Sequence, residues 1–510
     1  MVWPAEIWEP NASRKEKAKS EGCLTQILLL HFRKKEGAFA ITHMKTLLRN
    51  IKIIFVFFIL LSVFFLGGLS IQLYRSQTRL AVAAGENKEA LKARYANAGN
   101  ILSADGQLLA YSEDGQRFYH QSPQTAAAML HLVGDYTHHI DQTIESRYQR
   151  ALTGTQRHFF HQLLLDVQGL GLQGDTLTLT ADAELSQYAS ELLTGSHGAI
   201  VMINYQTGAV LIAVSQPSAS PESVISWEGF ADGSLFNRAF KGQYVPGSVF
   251  KIMTAAAWLQ SEHTDTSFEQ TCSGESTVGP DGASETGDGH GRVNLESAFS
   301  LSCNIYFGAA GVQAGADALR QTAAEAHFNQ QITAGAIELP SGRISLPDDP
   351  EPLSWAAIGQ PSAQGIITMT PLHMAMLAGS IAHEGTAMKP QLILYRTDPS
   401  GHQFDFLKPE KQAQFLPAAV AASLDSLMQE AVRSGTGRAA LVPGLVTAGK
   451  TGTVQLDQQA NNALFAGYIK DERLPLAIAV VVEQGGSGAQ TAAPIAGALF
   501  SAAAEKYIEE

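Results

Sequence analysis

An apolar segment of the chain, YVPGSVFKIMTAAAWL at residues 244–259, contains a serine and a lysine three positions apart. The preceding Pro-Gly pair predicts a helix start, and the i, i+3 spacing places Ser248 and Lys251 on one helix face. A serine hydroxyl becomes an effective nucleophile when a base takes its proton, and an apolar environment favours the neutral, basic form of lysine. The alternative is that Lys251 extends to solvent along its apolar stem. This segment alone leaves both interpretations open.

A second serine lies two residues from an amide side chain in the segment SLSCNIYFGAAG. The pattern predicts a helix or a helix–loop junction there, from which Ser302 and Asn304 can reach one cleft. The alternative is a structural role, because serine and asparagine also cap helices and stabilise turns through local hydrogen bonds. The triplet alone is a weak signal.

A third segment, VTAGKTGTVQL, is the most specific signal and is predicted to lie on a strand. Lys450 supplies positive charge, while Thr451 and Thr453 supply hydroxyl groups. Gly452 removes side-chain bulk where a ligand can approach the backbone. The alternative is a solvated edge strand.

The elements that position these motifs follow from periodicity. Helices are predicted at 247–260, 294–328, 370–384 and 493–508. Strands are predicted at 445–455, 463–470 and 475–483, and a hairpin within 197–218. Helices between strands from both ends predict one α/β domain of the α+β type at 175–510, with a mainly antiparallel sheet.

The region before this domain divides into three parts. Residues 53–73 contain no charged side chain, and a helix of 21 residues spans about 30 Å of hydrocarbon, so they predict a transmembrane helix. Residues 74–174 are expected to form an extracytoplasmic stalk and stem domain, with Asp-Gly turns between short strands at 99–119. Residues 1–52 form the predicted cytoplasmic tail, and we expect that translation begins at Met44, which would exclude 1–43.

The orientation of the predicted single-pass membrane protein follows from the flanking charges. Residues 33–52 carry six Lys and Arg side chains, against four at 74–93, so the N-terminus is expected in the cytoplasm. The chain of 510 residues has a net charge of −13, which argues against nucleic acid as a partner. Its three cysteines form no CxxC or Cys/His metal spacing, and we expect two free thiols at Cys272 and Cys303 and no metal or cofactor.

The order of the three motifs, S-x-x-K at 248, S-x-N at 302 and K-T-G-T at 450, resembles that of the penicillin-recognising serine acyltransferases. Further segments such as NRAFKGQYVPGSVFKIMTAAAWL, HGRVNLESAFSLSCNIYF and AVRSGTGRAA are similar to segments of the same family. Together with the anchor, they make the chain look like a membrane-anchored class B penicillin-binding protein, a monofunctional peptidoglycan D,D-transpeptidase. The resemblance covers about residues 99–500.

The resemblance implies a role for each motif residue. Ser248 would attack the penultimate D-alanine of a stem peptide, and Lys251 would take its proton. Ser302 would relay a proton toward the leaving amine, positioned by Asn304 and by the charge of Lys450.

The same resemblance implies how substrate is held. Thr451, Gly452 and Thr453 would bind the terminal carboxylate of a D-Ala-D-Ala stem peptide, and the backbone N–H groups of Ser248 and Thr453 would form the oxyanion hole. β-Lactam antibiotics should acylate Ser248 through the same groups. The resemblance also implies a membrane glycan polymerase as partner.

Two other functions fit the same motifs. A D,D-carboxypeptidase or a β-lactamase uses water as the acceptor, and the motifs alone do not distinguish water from an amine. A non-catalytic β-lactam sensor or scaffold is the alternative outside enzymes, although one apolar span with a short inner tail offers little for signalling.

Overall fold

The computed structural model of the protein describes residues 47–71, 88–171, 173–261, 267–274, 285, 289–360, 364–456 and 459–508. The chain divides into two compact units, residues 1–86 and 87–510. The first contains helix α1, Leu47–Ile71, whose mean hydropathy reaches 2.7 and which is long and apolar enough to cross a membrane. The predicted start at Met44 and the stalk before Lys88 lie outside the described residues.

The second unit contains helices of very different lengths. The α-helices are α2 Lys88–Tyr95, α3 Pro123–Val133, α4 Ile144–Arg147, α5 Gln149–Leu152, α6 Phe159–Val167, α7 Ala183–Leu192, α8 Pro221–Ser226, α9 Arg238–Lys241, α10 Lys251–Gln260, α11 Leu295–Ser300, α12 Asn304–Ala314, α13 Ala316–Glu325, α14 Pro350–Ala357, α15 Pro371–Ala382, α16 Ala418–Arg433 and α17 Ala493–Ile508. Short 3-10 helices cover Gly247–Phe250 and Arg438–Ala440.

The strands of the second unit form several sheets. They are β1 Ile101–Leu102, β2 Leu108–Glu113, β3 Gln116–Tyr119, β4 Thr176–Leu179, β5 His197–Asn204, β6 Val210–Gln216, β7 Gln270–Cys272, β8 Gly291–Val293, β9 Gln331–Ala334, β10 Ile337–Pro340, β11 Arg343–Ser345, β12 Ile366–Thr368, β13 Thr386–Met388, β14 Ile393–Thr397, β15 Gln403–Phe404, β16 Lys411–Gln414, β17 Thr447–Leu456, β18 Gln459–Ile469 and β19 Leu476–Glu483.

The central sheet has the order β17-β18-β19-β5-β6, and all its pairs are antiparallel. Strand β19, LAIAVVVE, is apolar up to its last residue because both of its faces are buried. Ala477, Ala479 and Val481 belong to one hydrophobic cluster, and the residues that alternate with them belong to another. A sheet covered on both faces needs apolar side chains in both directions. The predicted α+β fold with a sheet built from both ends of the domain is confirmed.

A second sheet has the order β15-β14-β4-β1-β2-β3 and combines strands from distant parts of the chain. Strand β4 pairs in parallel with β1 and antiparallel with β14. The strands predicted at 99–119 are therefore present, but their sheet also contains residues after 174. The boundary of the stem at residue 174 stays a prediction.

Candidate active site

Ser248 lies in the 3-10 helix that leads into α10 and is partly exposed. Side chains at i and i+3 eclipse in a 3-10 helix, so the turn that begins at Ser248 directs Lys251 to the same side. The predicted helix at 247–260 is thus a 3-10 turn followed by the α-helix. Lys251 is fully buried, with an exposed fraction of 0%, so the alternative in which it extends to solvent is excluded.

The Lys251 side chain contacts the second motif directly. Its Nζ donates to the Ser302 carbonyl oxygen at 2.5 Å and to Asn304 Oδ1 at 2.7 Å, and it lies 3.2 Å from Ser302 Oγ. It also lies 5.8 Å from the ring centroid of Phe307. The first two motifs are therefore in direct contact, as predicted, and Lys251 Nζ makes the contact.

The backbone at Ser302 explains how one residue offers two oxygen atoms to the same lysine. Ser302 links α11 to α12 with a left-handed φ of 61°. Such a conformation costs a non-glycine residue about 1–3 kcal/mol and persists where the surrounding structure determines it. Helix α12 begins two residues later at Asn304, which places the Asn304 amide beside Ser302.

The third motif lies on β17, an edge strand of the central sheet. Lys450 is fully buried, donates to the Thr451 carbonyl oxygen at 3.2 Å and lies 5.8 Å from the ring centroid of Phe299. The solvated edge strand considered as an alternative is therefore excluded for Lys450. Close approach of this strand to the Ser248 turn depends on glycine: a Cβ at Gly247 would lie 2.8 Å from the Thr453 carbonyl oxygen.

The two threonines of β17 are hydrogen-bonded to residues outside the three sequence motifs. Thr451 and Thr436 share a hydrogen bond of 2.7 Å between their hydroxyls. Thr453 Oγ1 accepts from the Gly488 backbone N–H at 3.2 Å, and the Thr453 carbonyl accepts from Gln360 Nε2 at 3.2 Å. Thr436 belongs to the segment SGTG, which resembles a family segment but to which the sequence assigned no role.

The two buried lysines have lowered pKa values for related reasons. Burial lowers the pKa of Lys251 to about 8, against the opposing effect of the Glu285 carboxylate. Burial also lowers the pKa of Lys450 well below its usual range, and the Lys251 charge lowers it further. Because a positive charge on one lysine opposes protonation of the other, the pair holds its second proton less tightly than two isolated lysines would.

A group of residues that the sequence did not indicate could hold a metal ion beside this site. The ligand atoms of Cys272, Glu285, His290 and Cys303 all lie within 4.8 Å of one another. Cys272 and Cys303 are both buried free thiols, as the sequence favoured. Cysteine spacing could not indicate this cluster, because its members are separated along the chain and meet only in the fold. The expectation that the enzyme needs no metal stays a prediction.

The family model of the penicillin-binding protein transpeptidase domain matches residues 198–501. The chain belongs to this family. The predicted resemblance to the class B penicillin-binding proteins is thereby confirmed, and all three motifs lie inside the matched range.

Relatives and solved structures agree with this membership. The chain is 29% identical to the peptidoglycan D,D-transpeptidase PbpA of Mycolicibacterium smegmatis over 82% of this chain and 91% of that protein. It resembles the ceftriaxone acyl-enzyme complex of penicillin-binding protein A from M. tuberculosis with a TM-score of 0.72 and 26% identity, over 81% of this chain and 99% of that one. The chain also resembles the D,D-transpeptidase domain of a peptidoglycan glycosyltransferase from Eggerthella lenta, with a TM-score of 0.69 and 28% identity. That match covers 80% of this chain and 98% of the other.

Proposed function

We propose that this peptidoglycan D,D-transpeptidase cross-links stem peptides through an acyl-enzyme on Ser248, with Lys251 as the general base. The observation that carries the proposal is the position of Lys251. It is fully buried, lies one turn after Ser248 and is hydrogen-bonded to Ser302 and Asn304. A general base is most effective when its pKa is close to the working pH, and a pKa of about 8 meets that condition.

The hydrogen bonds of Lys251 also suit its neutral form. A neutral amine has two N–H donors and one lone pair. The two shortest contacts, to the Ser302 carbonyl and to Asn304 Oδ1, account for both donors. The lone pair is then left for the Ser248 hydroxyl or for Ser302 Oγ, which is the arrangement that proton transfer requires.

In the acylation step, Ser248 Oγ forms a bond to the carbonyl carbon of the penultimate D-alanine, and its proton passes to Lys251 Nζ. The bond to the terminal D-alanine nitrogen then breaks. That leaving amine receives a proton through Ser302 Oγ, which lies 3.2 Å from Lys251 Nζ. In the second step, an amine of a neighbouring stem peptide attacks the acyl carbon, and Ser248 regains a proton as the cross-link forms.

The oxyanion is assigned to the backbone N–H groups of Ser248 and Thr453. The carbonyl of Thr453 accepts from Gln360 and faces the Ser248 turn, not strand β18. In an antiparallel strand the N–H and C=O of one residue point to the same side, which supports an outward N–H at Thr453. Donors fixed in this way before the reaction are often the largest catalytic contribution.

The substrate carboxylate is assigned to the hydroxyls of Thr451 and Thr453, with Gly452 between them and Lys450 behind. The hydrogen bond between Thr451 and Thr436 holds one of these hydroxyls in place. Gly452 keeps the strand close to the nucleophile turn, since a Cβ there would lie 2.8 Å from the Pro246 carbonyl oxygen. A carboxylate bound there would favour the charged form of Lys450, because an opposite charge nearby raises the pKa of a lysine.

The membrane arrangement is proposed from the sequence: α1 crosses the membrane once, with residues 74–510 outside, and a separate membrane polymerase supplies glycan strands. Labelling of single cysteines on either side of α1 with an impermeant reagent in intact cells tests the orientation; labelling only of residues before α1 would refute it.

Purified chain with lipid-linked peptidoglycan should give dimeric cross-linked products only when a polymerase is added, whereas trimmed monomers would identify a carboxypeptidase.

The nucleophile is tested by Ser248→Ala in the full-length chain. Labelling with a fluorescent penicillin should disappear, because the variant lacks the attacking hydroxyl. The matched control is Ser423→Ala, which removes an exposed hydroxyl on α16 that bonds only within its own helix. Undiminished labelling of Ser248→Ala, with the bound label mapped to another residue, would overturn the assignment.

A further inference from the structure

Four side chains of three chemical types, two thiols, a carboxylate and an imidazole, meet beneath the Ser302–Asn304 motif. Cys272 ends β7, and in the hairpin it pairs with Gly291 of β8, so His290 lies beside it. Cys303 is the residue before α12, and Glu285 lies in the connection between the two strands. Both sulfur atoms are buried, while Glu285 and His290 are half-buried.

The distances within this group match those of a metal shell. Cys272 Sγ lies 3.6 Å from His290 Nδ1, and His290 Nδ1 lies 3.8 Å from the Glu285 carboxylate. A tetrahedral zinc ion, with Zn–S bonds of about 2.3 Å and Zn–N bonds of about 2.0 Å, holds those two ligand atoms about 3.5 Å apart. All four ligand atoms lie within 4.8 Å of one another, so a small adjustment of the side chains brings them to one ion.

We propose that Cys272, Glu285, His290 and Cys303 bind one zinc ion, which fixes the Ser302–Asn304 motif in position. Two thiolates and an imidazole favour zinc over magnesium or calcium, which prefer oxygen ligands. Four protein ligands without an open position are typical of a structural site and not of a catalytic one. The ion is therefore a positioning element, and it contacts neither substrate nor the reacting atoms.

The connection to the active site is covalent on one side and hydrogen-bonded on the other. Cys303 stands between Ser302 and Asn304, the two residues that hold Lys251 Nζ. The Glu285 carboxylate accepts the Asn304 backbone N–H at 2.7 Å. An ion bound to both Cys303 and Glu285 would thus hold the start of α12 from two sides, as hydrogen bonds to ligand groups commonly do around zinc.

A bound cation also bears on the choice between a metal and a disulfide. The two cysteines lie near each other but are free thiols. A disulfide would use the same two sulfur atoms and leave His290 and Glu285 without a common partner, whereas zinc uses all four groups. The two states exclude each other, so the form of the sulfur atoms in the isolated protein discriminates between them.

The direct test is the zinc content of the full-length chain, purified in detergent with zinc chloride present during growth and without chelators. Mass spectrometry should find about one zinc per chain, and Cys272→Ser should lose most of it. The matched control is His402→Gln, which removes an exposed histidine near β15 and should keep the ion. Zinc retained in full by Cys272→Ser, or absent from the wild-type chain, would overturn the proposal, as would a Cys272–Cys303 disulfide in that preparation.

Replacement of zinc by cobalt provides a second measurement that does not depend on any variant folding. Cobalt bound by thiolates gives an intense sulfur-to-metal absorption that oxygen ligands do not give. The wild-type chain, stripped with a chelator and titrated with cobalt chloride, should show this absorption with about one equivalent bound. Binding without the sulfur absorption would refute the ligand set.

The positioning role needs a readout beyond stability. Chelation of zinc should slow acylation by a fluorescent penicillin about tenfold, and added zinc should restore the rate in the wild-type chain but not in Cys272→Ser. Unchanged acylation after verified loss of zinc would refute positioning while leaving the zinc content as measured. Because zinc content is measured without turnover, these outcomes are independent of whether Ser248 is the nucleophile.

Discussion

Two regions of the protein contain buried cationic side chains, and the regions differ in whether those side chains have carboxylate partners. Around the sheet that contains β1–β3, arginines with little exposed side chain are paired with buried carboxylates: Arg117 with Glu145 at 2.8 Å, and Arg157 and Arg396 with Asp175 at 2.5 and 2.6 Å. In the active site, Lys251 and Lys450 are fully buried, and neither forms an ion pair with a carboxylate among the residues that the structure describes.

The difference separates a structural use of buried charge from a chemical one. A paired guanidinium stays charged, and removing either partner leaves the other charge unbalanced in a medium of low dielectric. Burial lowers the pKa of a lysine that has no carboxylate partner, so such a lysine can release and recover a proton near neutral pH. The first arrangement stabilises the fold, and the second creates a base.

The largest expected effect comes from breaking a pair in the first region. Arg117→Met leaves the fully buried Glu145 without its guanidinium, and burial already raises the pKa of that carboxyl. The free energy of unfolding should fall by about 3–5 kcal/mol, measured by urea titration with tryptophan fluorescence. Acylation by penicillin of the molecules that remain folded should be unchanged.

Two further variants sharpen that experiment. Adding Glu145→Leu to Arg117→Met should recover part of the loss, because no unpaired charge then remains buried. Lys389→Met removes the cation of a more exposed pair with Glu410 and should cost at most about 1 kcal/mol. A cost for Arg117→Met no larger than that for Lys389→Met would contradict the structural role of the first region.

The next effect concerns the second region. Lys251→Met keeps the length and the burial of the side chain but removes the base, so acylation should slow by about 100-fold or more. Its cost in unfolding free energy should be smaller than that of Arg117→Met, because no carboxylate loses its partner. Stopped-flow acylation and urea titration of the same preparation measure both quantities. A large loss of stability with a normal acylation rate would reverse the comparison.

The smallest effect is the dependence of acylation on pH. Burial sets the pKa of Lys251 at about 8, and the neutral amine is the active form. The rate should therefore rise about tenfold per pH unit below about pH 8 and level off above it. A chromogenic cephalosporin followed in a stopped-flow instrument gives this profile. A rate that stays constant from about pH 6 to about pH 9 would show that Lys251 is not the base.

Much of this site could be predicted because its parts are local. Ser248 and Lys251 lie within one helical turn, Ser302 and Asn304 within one junction, and Lys450 on one strand, so spacing alone puts each pair on one surface. The periodicity of the central strands predicted the sheet. The order of the motifs pointed to the family that the comparisons then identified.

Other features could not be predicted, since they depend on contacts between distant segments. Thr436 meets Thr451 only because the turn after α16 packs against β17. Cys272, His290 and Cys303 come together through a hairpin and a helix start, and their spacing matches no common metal motif. Spacing rules describe ligands on one local loop, whereas these ligands come from the end of β7, the segment before β8 and the start of α12.

The sheet that contains β1–β3 determines how early this part of the chain can complete its folding. Domains usually fold from the N-terminus as they are made, yet β4 pairs with β14, whose residues follow the first two catalytic motifs in the chain. Until the ribosome has synthesised Ile393–Thr397, β4 has no partner strand on its β14 side. Unpaired strand edges of this kind favour pairing between molecules. A chain cut after the stem would therefore be an incomplete sheet prone to aggregation, and not a smaller stable protein.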